Sequence, residues 1–502
     1  RAPAAPRPAD LAERRSYTLV MIAVTLALTL PILFTAYVPL VDYPNHLTRA
    51  WLLANYDRLP WIRAAYETVP GLTPNMVMDV IVPPLVGPLG LVAAGKAFLV
   101  LLVMLFAFAC HRLGRALHGR ESWLAVPAAF LVYNSNFLYG FVNSVFGTAM
   151  FAVTLAYWLE WRHRWTALRL VGTSALVVAT FATHLGAYAM LGVAFGAITG
   201  VEFLTRRRRF GLALLDALPL VPSLLYFVTF VRGNGEPGWV TWNSALGKAI
   251  ALAAPLRSYS VALDAAVCLT VAVTLTLAVR RSPSVTVQVA ALSGAAALGL
   301  AFLATPREIF TSGGADARFV VPAALLAGLA LSFRLPRRVG AALLGVAVAA
   351  GTVRTAAIWH VWRGLEVEAA RGMALLDRVP VGTRLYAATF PSADIAQGKL
   401  DRSFEHLPVL AVATRQATVP TLFAHRGQQP LIFRYPPRRY KSPPPVTPDV
   451  TREYDHIWTY RAPSAVRDTL LQSSTPVATS GAFVLWEVRD RAQHGTRQTA
   501  AP

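Results

Sequence analysis

An acid and a histidine four residues apart, Asp42 and His46, stand where the chain leaves its first long apolar run. The segment reads Val38-Pro39-Leu40-Val41-Asp42-Tyr43-Pro44-Asn45-His46-Leu47-Thr48-Arg49. An acid at that depth is costly unless it is solvated or used. A carboxylate within hydrogen-bond reach of a hydroxyl can take its proton, the step that group transfer to an alcohol requires. The pair therefore points to a membrane-embedded transferase whose substrate keeps an apolar tail in the bilayer. His46, at i+4 on the same helix face, could orient Asp42, bind a donor phosphate or help to hold a divalent cation such as Mg²⁺ or Mn²⁺. The pair alone lacks the third and fourth ligands of a zinc site. Arg49, a turn further on, suits a phosphate or snorkels to lipid headgroups. Asp42 followed by Pro44 also reads as a helix N-cap, and a helix N-terminus attracts anions.

Three further groups of polar residues interrupt apolar sequence. His184 lies in Phe181-Ala182-Thr183-His184-Leu185-Gly186, either as a structural hydrogen-bonder or as part of a site. Asn134, Asn136 and Asn143 cluster around Tyr139-Gly140 and could bind sugar hydroxyls or satisfy helix ends. Asp316 and Arg318 follow the Gly313-Gly314 turn. Asp316 reads as a cap, and Arg318 as a headgroup arginine or a holder of donor phosphate, whose oxygens match a guanidinium.

The elements that must position these residues are membrane spans. The chain has 502 residues, 55% hydrophobic and only 15% charged, against about 25% charged in ordinary soluble domains. At roughly 20 apolar residues per helix, spans are predicted near 17–38, 88–110, 122–139, 141–160, 167–182, 185–204, 210–230, 262–279, 284–304, 319–334 and 339–358. The first is too long for a signal-peptide core and lacks a small-residue cleavage site, so it reads as a retained span. The runs 122–160 and 167–204 would each make a helix of roughly 55–60 Å, too long for one span. They are split at Tyr139-Gly140 and at His184-Leu185-Gly186.

The net charge of +21 would suggest nucleic acid in a soluble protein. Here much of it falls in six short basic loops that share one side under the eleven-span reading, which is the signature of the cytoplasmic face. No nucleic-acid partner is expected. A cytoplasmic tail, 1–16, then precedes a bundle over 17–358, and the first outer loop is 39–87. In that loop Trp51, Tyr56, Trp61 and Tyr66 read as interfacial belt residues on one or two surface-lying amphipathic helices. Residues 359–490 form a small extracytoplasmic α/β domain, and 491–502 a disordered tail. The fold class is thus mainly α, a polytopic transmembrane bundle with a small C-terminal α/β domain. Two cysteines, both in predicted spans, offer no disulfide framework. The sequence carries no P-loop, Gly-x-Gly-x-x-Gly after a strand, His-Glu-x-x-His or Gly-x-Ser-x-Gly, which points away from a primary pump.

With its first span running from inside to outside, a long first outer loop opened by Asp42, many spans and an outer C-terminal domain, the chain resembles the GT-C superfamily of integral-membrane glycosyltransferases. Asp42-Tyr43-Pro44-Asn45-His46-Leu47 is similar to the acid-bearing loop start of bacterial members. The resemblance implies transfer, with inversion, from a polyprenyl-phosphate-linked sugar to a glycan or lipid acceptor on the outer face of the plasma (inner) membrane. It maps Asp42 to the family's acidic residue, here the general base. His46, Arg49, His184, Asn143, Asp316 and Arg318 are then the residues expected to bind substrate or orient groups. Many members carry a second acid, whereas this chain has none between 133 and 147, which leaves His46 or His184 to stand in for it. The competing reading is a transporter or flippase of a lipid-linked saccharide. Such proteins favour ionisable residues near the bilayer midplane, whereas here the notable polar residues collect at one face.

Overall fold

The computed structural model describes residues 8–231, 239–310, 312–390, 402–438 and 445–489. The 491–502 tail and residues 439–444 fall outside them. The chain divides into two compact units.

The first unit, residues 1–34, 99–137 and 142–358, is helical. Across the described residues, seven helices are long and apolar enough to cross a membrane: Leu11–Leu33, Leu91–His118, Val142–Trp161, Leu185–Leu204, Phe210–Thr229, Val261–Arg281 and Arg337–Leu376. Three shorter apolar helices, Ala167–Thr183, Val289–Ala304 and Ala317–Leu329, accompany them. The protein is therefore built as a multi-pass membrane protein.

Several predicted spans take a different form. The run 122–139 is not one helix. It breaks into Ala125–Ala129, Phe130–Tyr133 and Ser135–Leu138, and Asn134 serves both ends of the break. Its Nδ2 donates to the Leu131 and Val132 carbonyls, and its Oδ1 accepts from the Phe137 amide. Arg354, buried in the Arg337–Leu376 helix, closes the break by donating to the carbonyls of Tyr133 (2.8 Å) and Leu256 (3.0 Å). Backbone broken inside a bilayer needs such internal partners. The runs 284–304 and 319–334 each lose an end to a short strand, because Val285–Val287 pairs antiparallel with Leu331–Phe333. The last predicted span does not stop at 358, since its helix is continuous to Leu376.

Of the run Arg206–Arg209, read as a topology signal, Arg208 is buried. It grips Asp216 through two nitrogens, at 2.9 and 2.5 Å. Arg162 pairs with both Glu202 and Asp216.

The second unit gathers residues 35–98, 138–141 and 359–502. Its four-stranded sheet runs Leu385–Thr389, His456–Tyr460, Phe483–Val488, Ser474–Ser480 in spatial order. The first pair is parallel and the others antiparallel. A second ladder joins distant sequence, with Tyr66–Thr68 antiparallel to Leu431–Phe433.

The Tyr43–Ala54 helix corrects the expectation of a surface-lying amphipathic element. Nine of its twelve residues are buried, His46 and Arg49 among them. The aromatics expected in an interfacial belt instead join a core. Tyr66 is buried with Leu375, Leu407, Val412, Leu431 and Phe483, and Trp51, Tyr56 and Trp61 pack against that cluster.

Candidate functional site

In the second unit, Asp42 precedes the Tyr43–Ala54 helix but does not cap it. Its backbone is already helical (φ −86°, ψ −7°), and its side chain makes no capping hydrogen bond. That leaves the carboxylate to face His406, whose Nε2 lies 3.4 Å from Asp42 Oδ1. The Asp42 side chain is 17% exposed.

Backbone fixes its place. The Asp42 amide donates to the Tyr139 carbonyl at 3.0 Å. Gly140 lies so close that an added Cβ would stand 2.5 Å from the Asp42 nitrogen, and its φ of +81° also disfavours any other residue.

His46 turns one ring nitrogen to Arg49. Its Nδ1 accepts from Arg49 Nη2 at 3.2 Å. Burial, helped by Arg49 and His406, holds its imidazole well below the ordinary histidine range, so the ring is neutral. Arg49 neither snorkels nor presents itself to a phosphate. It is wholly buried and bidentate to Asp79 (2.7 and 2.8 Å), with Nη1 donating to the Phe423 carbonyl at 3.2 Å. Burial pushes the Asp79 carboxyl above the usual carboxylate range, against the pull of Arg49.

His406 and Asp79 escaped the sequence reading. Asp79 had a signal, as the lone acid in the apolar run Val77-Met78-Asp79-Val80-Ile81. A buried acid needs a buried cation. His406 borders the apolar patch Leu407–Val412, but nothing in sequence spacing links it to residue 42.

In the first unit, His184 separates two helices, Ala167–Thr183 and Leu185–Leu204, and caps the second. Its Nδ1 accepts from the Gly186 amide at 3.0 Å. Its Nε2 faces Arg318 Nη1 at 3.2 Å, and Arg318 also donates to Ser312 Oγ (2.9 Å) and the Gly313 carbonyl (3.0 Å). A neutral imidazole has one N–H and one lone pair, whereas a guanidinium has only donors. With Nδ1 accepting, the proton sits on Nε2 and points at Arg318. The other tautomer only moves the conflict to Gly186. Two donors thus converge, an arrangement that an anionic oxygen accepting from both would relieve.

Asp316 takes the capping role. Its Oδ1 accepts from the Ala317 amide, and its Oδ2 accepts from Asn243 (2.7 Å) and Lys248 (2.9 Å). Those partners hold it away from the substrate contact expected of it. Asn143 is buried in the Val142–Trp161 helix. Asn134 serves helix ends, and Asn136 approaches the Ala317 carbonyl at 3.5 Å. Among the described residues, no three His, Cys, Asp or Glu side chains group in a way that could hold a metal ion.

The chain is a multi-pass membrane protein with a part-exposed carboxylate at Asp42 and a His184–Arg318 pair whose donors converge. No family model matches the sequence, and neither does any curated protein. Among solved structures, the fold matches the crystal structure of ArnT from Cupriavidus metallidurans in the apo state. The TM-score is 0.52 at 12% identity, over 94% of this chain and 98% of that chain. The crystal structure of ArnT from the same organism bound to undecaprenyl phosphate aligns over the same shares at TM-score 0.49 and 12% identity. The fold of the chain is thus similar to that of ArnT.

Proposed function

We propose that the protein is an integral-membrane glycosyltransferase. It transfers a sugar from a polyprenyl-phosphate-linked donor to a hydroxyl of a glycan or lipid acceptor, on the extracytoplasmic face of the plasma (inner) membrane. The observation that carries this reading is the Asp42 carboxylate, released from capping, part-exposed and fixed by backbone on a chain with the ArnT fold. ArnT itself has been captured with undecaprenyl phosphate, which supports a polyprenyl phosphate as the carrier here.

In this mechanism Asp42 takes the proton of the acceptor hydroxyl as its oxygen attacks the anomeric carbon. The bond from that carbon to the phosphate oxygen breaks, and the polyprenyl phosphate leaves with the electron pair. A single displacement inverts the anomeric configuration. Within the first unit, the converging donors of Arg318 and His184 match the oxygens of a lipid-linked phosphate, and we assign them to its binding. Asn143 is assigned to substrate hydroxyls.

The test uses the full-length protein in membranes with a panel of labelled undecaprenyl-phosphate sugars and a mixed acceptor pool. Transfer that requires Arg318, and whose product carries the inverted linkage by NMR, is the expected result. Wild-type protein that transfers nothing from any donor while moving intact lipid-linked saccharide between leaflets would replace this reading with that of a flippase. Addition of EDTA, followed by Mg²⁺ or Mn²⁺, decides the cation.

A further inference from the structure

His406 lies 364 positions after Asp42, yet its Nε2 is the imidazole nitrogen that meets the carboxylate. Its Nδ1 is buried with no partner among the described residues. A second proton there would be an unpaired buried donor. The single proton therefore belongs on Nε2, facing Asp42 Oδ1.

The ring is braced. Phe423 stands edge-on to it at 5.0 Å between centroids, and edge-on to His46 at 6.2 Å. The backbone of Phe423 is gripped at both ends by the Tyr43–Ala54 helix. Its amide donates to Asn45 Oδ1 at 2.7 Å, and its carbonyl accepts from Arg49 Nη1 at 3.2 Å. Arg49 is in turn locked by Asp79. The helix that begins just after Asp42 thus fixes the loop that fixes the imidazole that faces Asp42.

We propose that His406 is the positioning residue of the Asp42 base. Its Nε2–H holds Oδ1 and aims Oδ2 at the acceptor hydroxyl, and the Arg49–Asp79 pair acts at one remove through Phe423. The proposal rests on the glycosyltransferase reading and adds to it a role for the C-terminal region within its own unit. The imidazole touches neither substrate nor leaving group. It keeps its proton throughout, and the proton from the acceptor ends on Asp42.

The test compares His406→Ala, His406→Gln and Asp42→Asn, alone and combined, in the full-length protein. Binding of tritiated undecaprenyl phosphate and the melting temperature serve as controls for folding. A misaligned catalytic group costs about 100-fold, so His406→Ala should lower kcat by about that factor with KM within about twofold. His406→Gln, whose Nε2–H can replace the lost donor, should recover most of the loss. In the Asp42→Asn background, His406→Ala should cost nothing more, since its effect passes through Asp42. A His406→Ala variant that folds, binds lipid and keeps wild-type kcat overturns the proposal and leaves the base at Asp42 standing. So does an undiminished effect of His406→Ala in the Asp42→Asn background. Should Asp42→Asn alone be fully active, the base assignment itself fails and this proposal goes with it. If Gln or Ala unfolds the protein, His406→Asn is read instead, with the same criteria.

Discussion

Around Asp42, polar groups face partners within the same unit. Arg49 has Asp79, Asp42 has His406, and His46 gives its lone pair to Arg49. Around His184, two donors are pressed together at 3.2 Å. The first cluster links its members to one another, whereas the second brings two donors face to face, which is the contrast that the proposed donor-phosphate role uses. The difference separates two tasks that one composition of His, Arg and Asp can perform. A general base must be held still, and a buried hydrogen-bonded network does that. A binding site must reserve favourable contacts for its ligand, and converging donors do that.

Breaking the network around Asp42 should have the largest effect on stability. Removing one partner of a buried ion pair typically costs about 3–5 kcal/mol, so Asp79→Ala should sharply lower the melting temperature. The combined Arg49→Met, Asp79→Leu variant should recover much of that loss. A melting temperature unchanged in Asp79→Ala would mean that the pair is not holding the unit.

The glycines sharpen the contrast. Gly140→Ala places a Cβ against the Asp42 backbone at a positive φ, so it should lose transfer activity about 100-fold by displacing the base. At Gly147 a Cβ would meet the side chains of Ala187 at 2.8 Å and His184 at 3.0 Å, at an ordinary helical φ. Gly147→Ala should therefore cost activity less, and through donor binding. Equal loss of kcat in both would erase the distinction between the two centres.

In the His184–Arg318 pair, Arg318→Gln should weaken binding of undecaprenyl phosphate about 10- to 100-fold, the scale of hydrogen bonds to a charged group. Its melting temperature should move little. A large drop in melting temperature with binding intact would make Arg318 structural instead.

The smallest expected effect is on pH dependence. His46 and His406 stay neutral when folded, with affinities for protons below the ordinary value of 6.5. The unfolded chain therefore binds more protons as the pH falls below about 6.5, and stability declines with acidification. Melting temperatures should fall from pH 7 to pH 5, with a shallower slope in His406→Gln than in wild type. A slope that is the same in both would show that His406 does not contribute to it.

Local signals in the sequence carried the helix after Asp42, the break at His184 and the cap at Asp316, each of which needs only a few neighbouring residues to specify it. Partners far along the chain were not legible. Asp42 looked like an N-cap because Asp before a prolyl first turn usually is one. Only the helical backbone at Asp42 and the approach of His406 show otherwise. Arg49 looked like a headgroup residue because a basic residue next to a span usually snorkels. Its true partner, Asp79, is a lone acid in an apolar helix, which spacing does not connect to it. Trp51, Tyr56, Trp61 and Tyr66 have the composition of an interfacial belt and of a core alike, and packing against residues 369–485 decided between them. The 122–139 run has enough hydropathy for a span, yet it breaks at Asn134, whose side chain offers the backbone an alternative to the helix.

The central claim is tested most directly by the rate of sugar transfer in Asp42→Asn against wild type at equal expression, with undecaprenyl phosphate binding measured in the same membranes. Removing a general base typically costs about 10²–10⁴-fold, so transfer should fall by that factor while lipid binding stays unchanged. A rate equal to wild type would contradict the account and remove Asp42 from the chemistry.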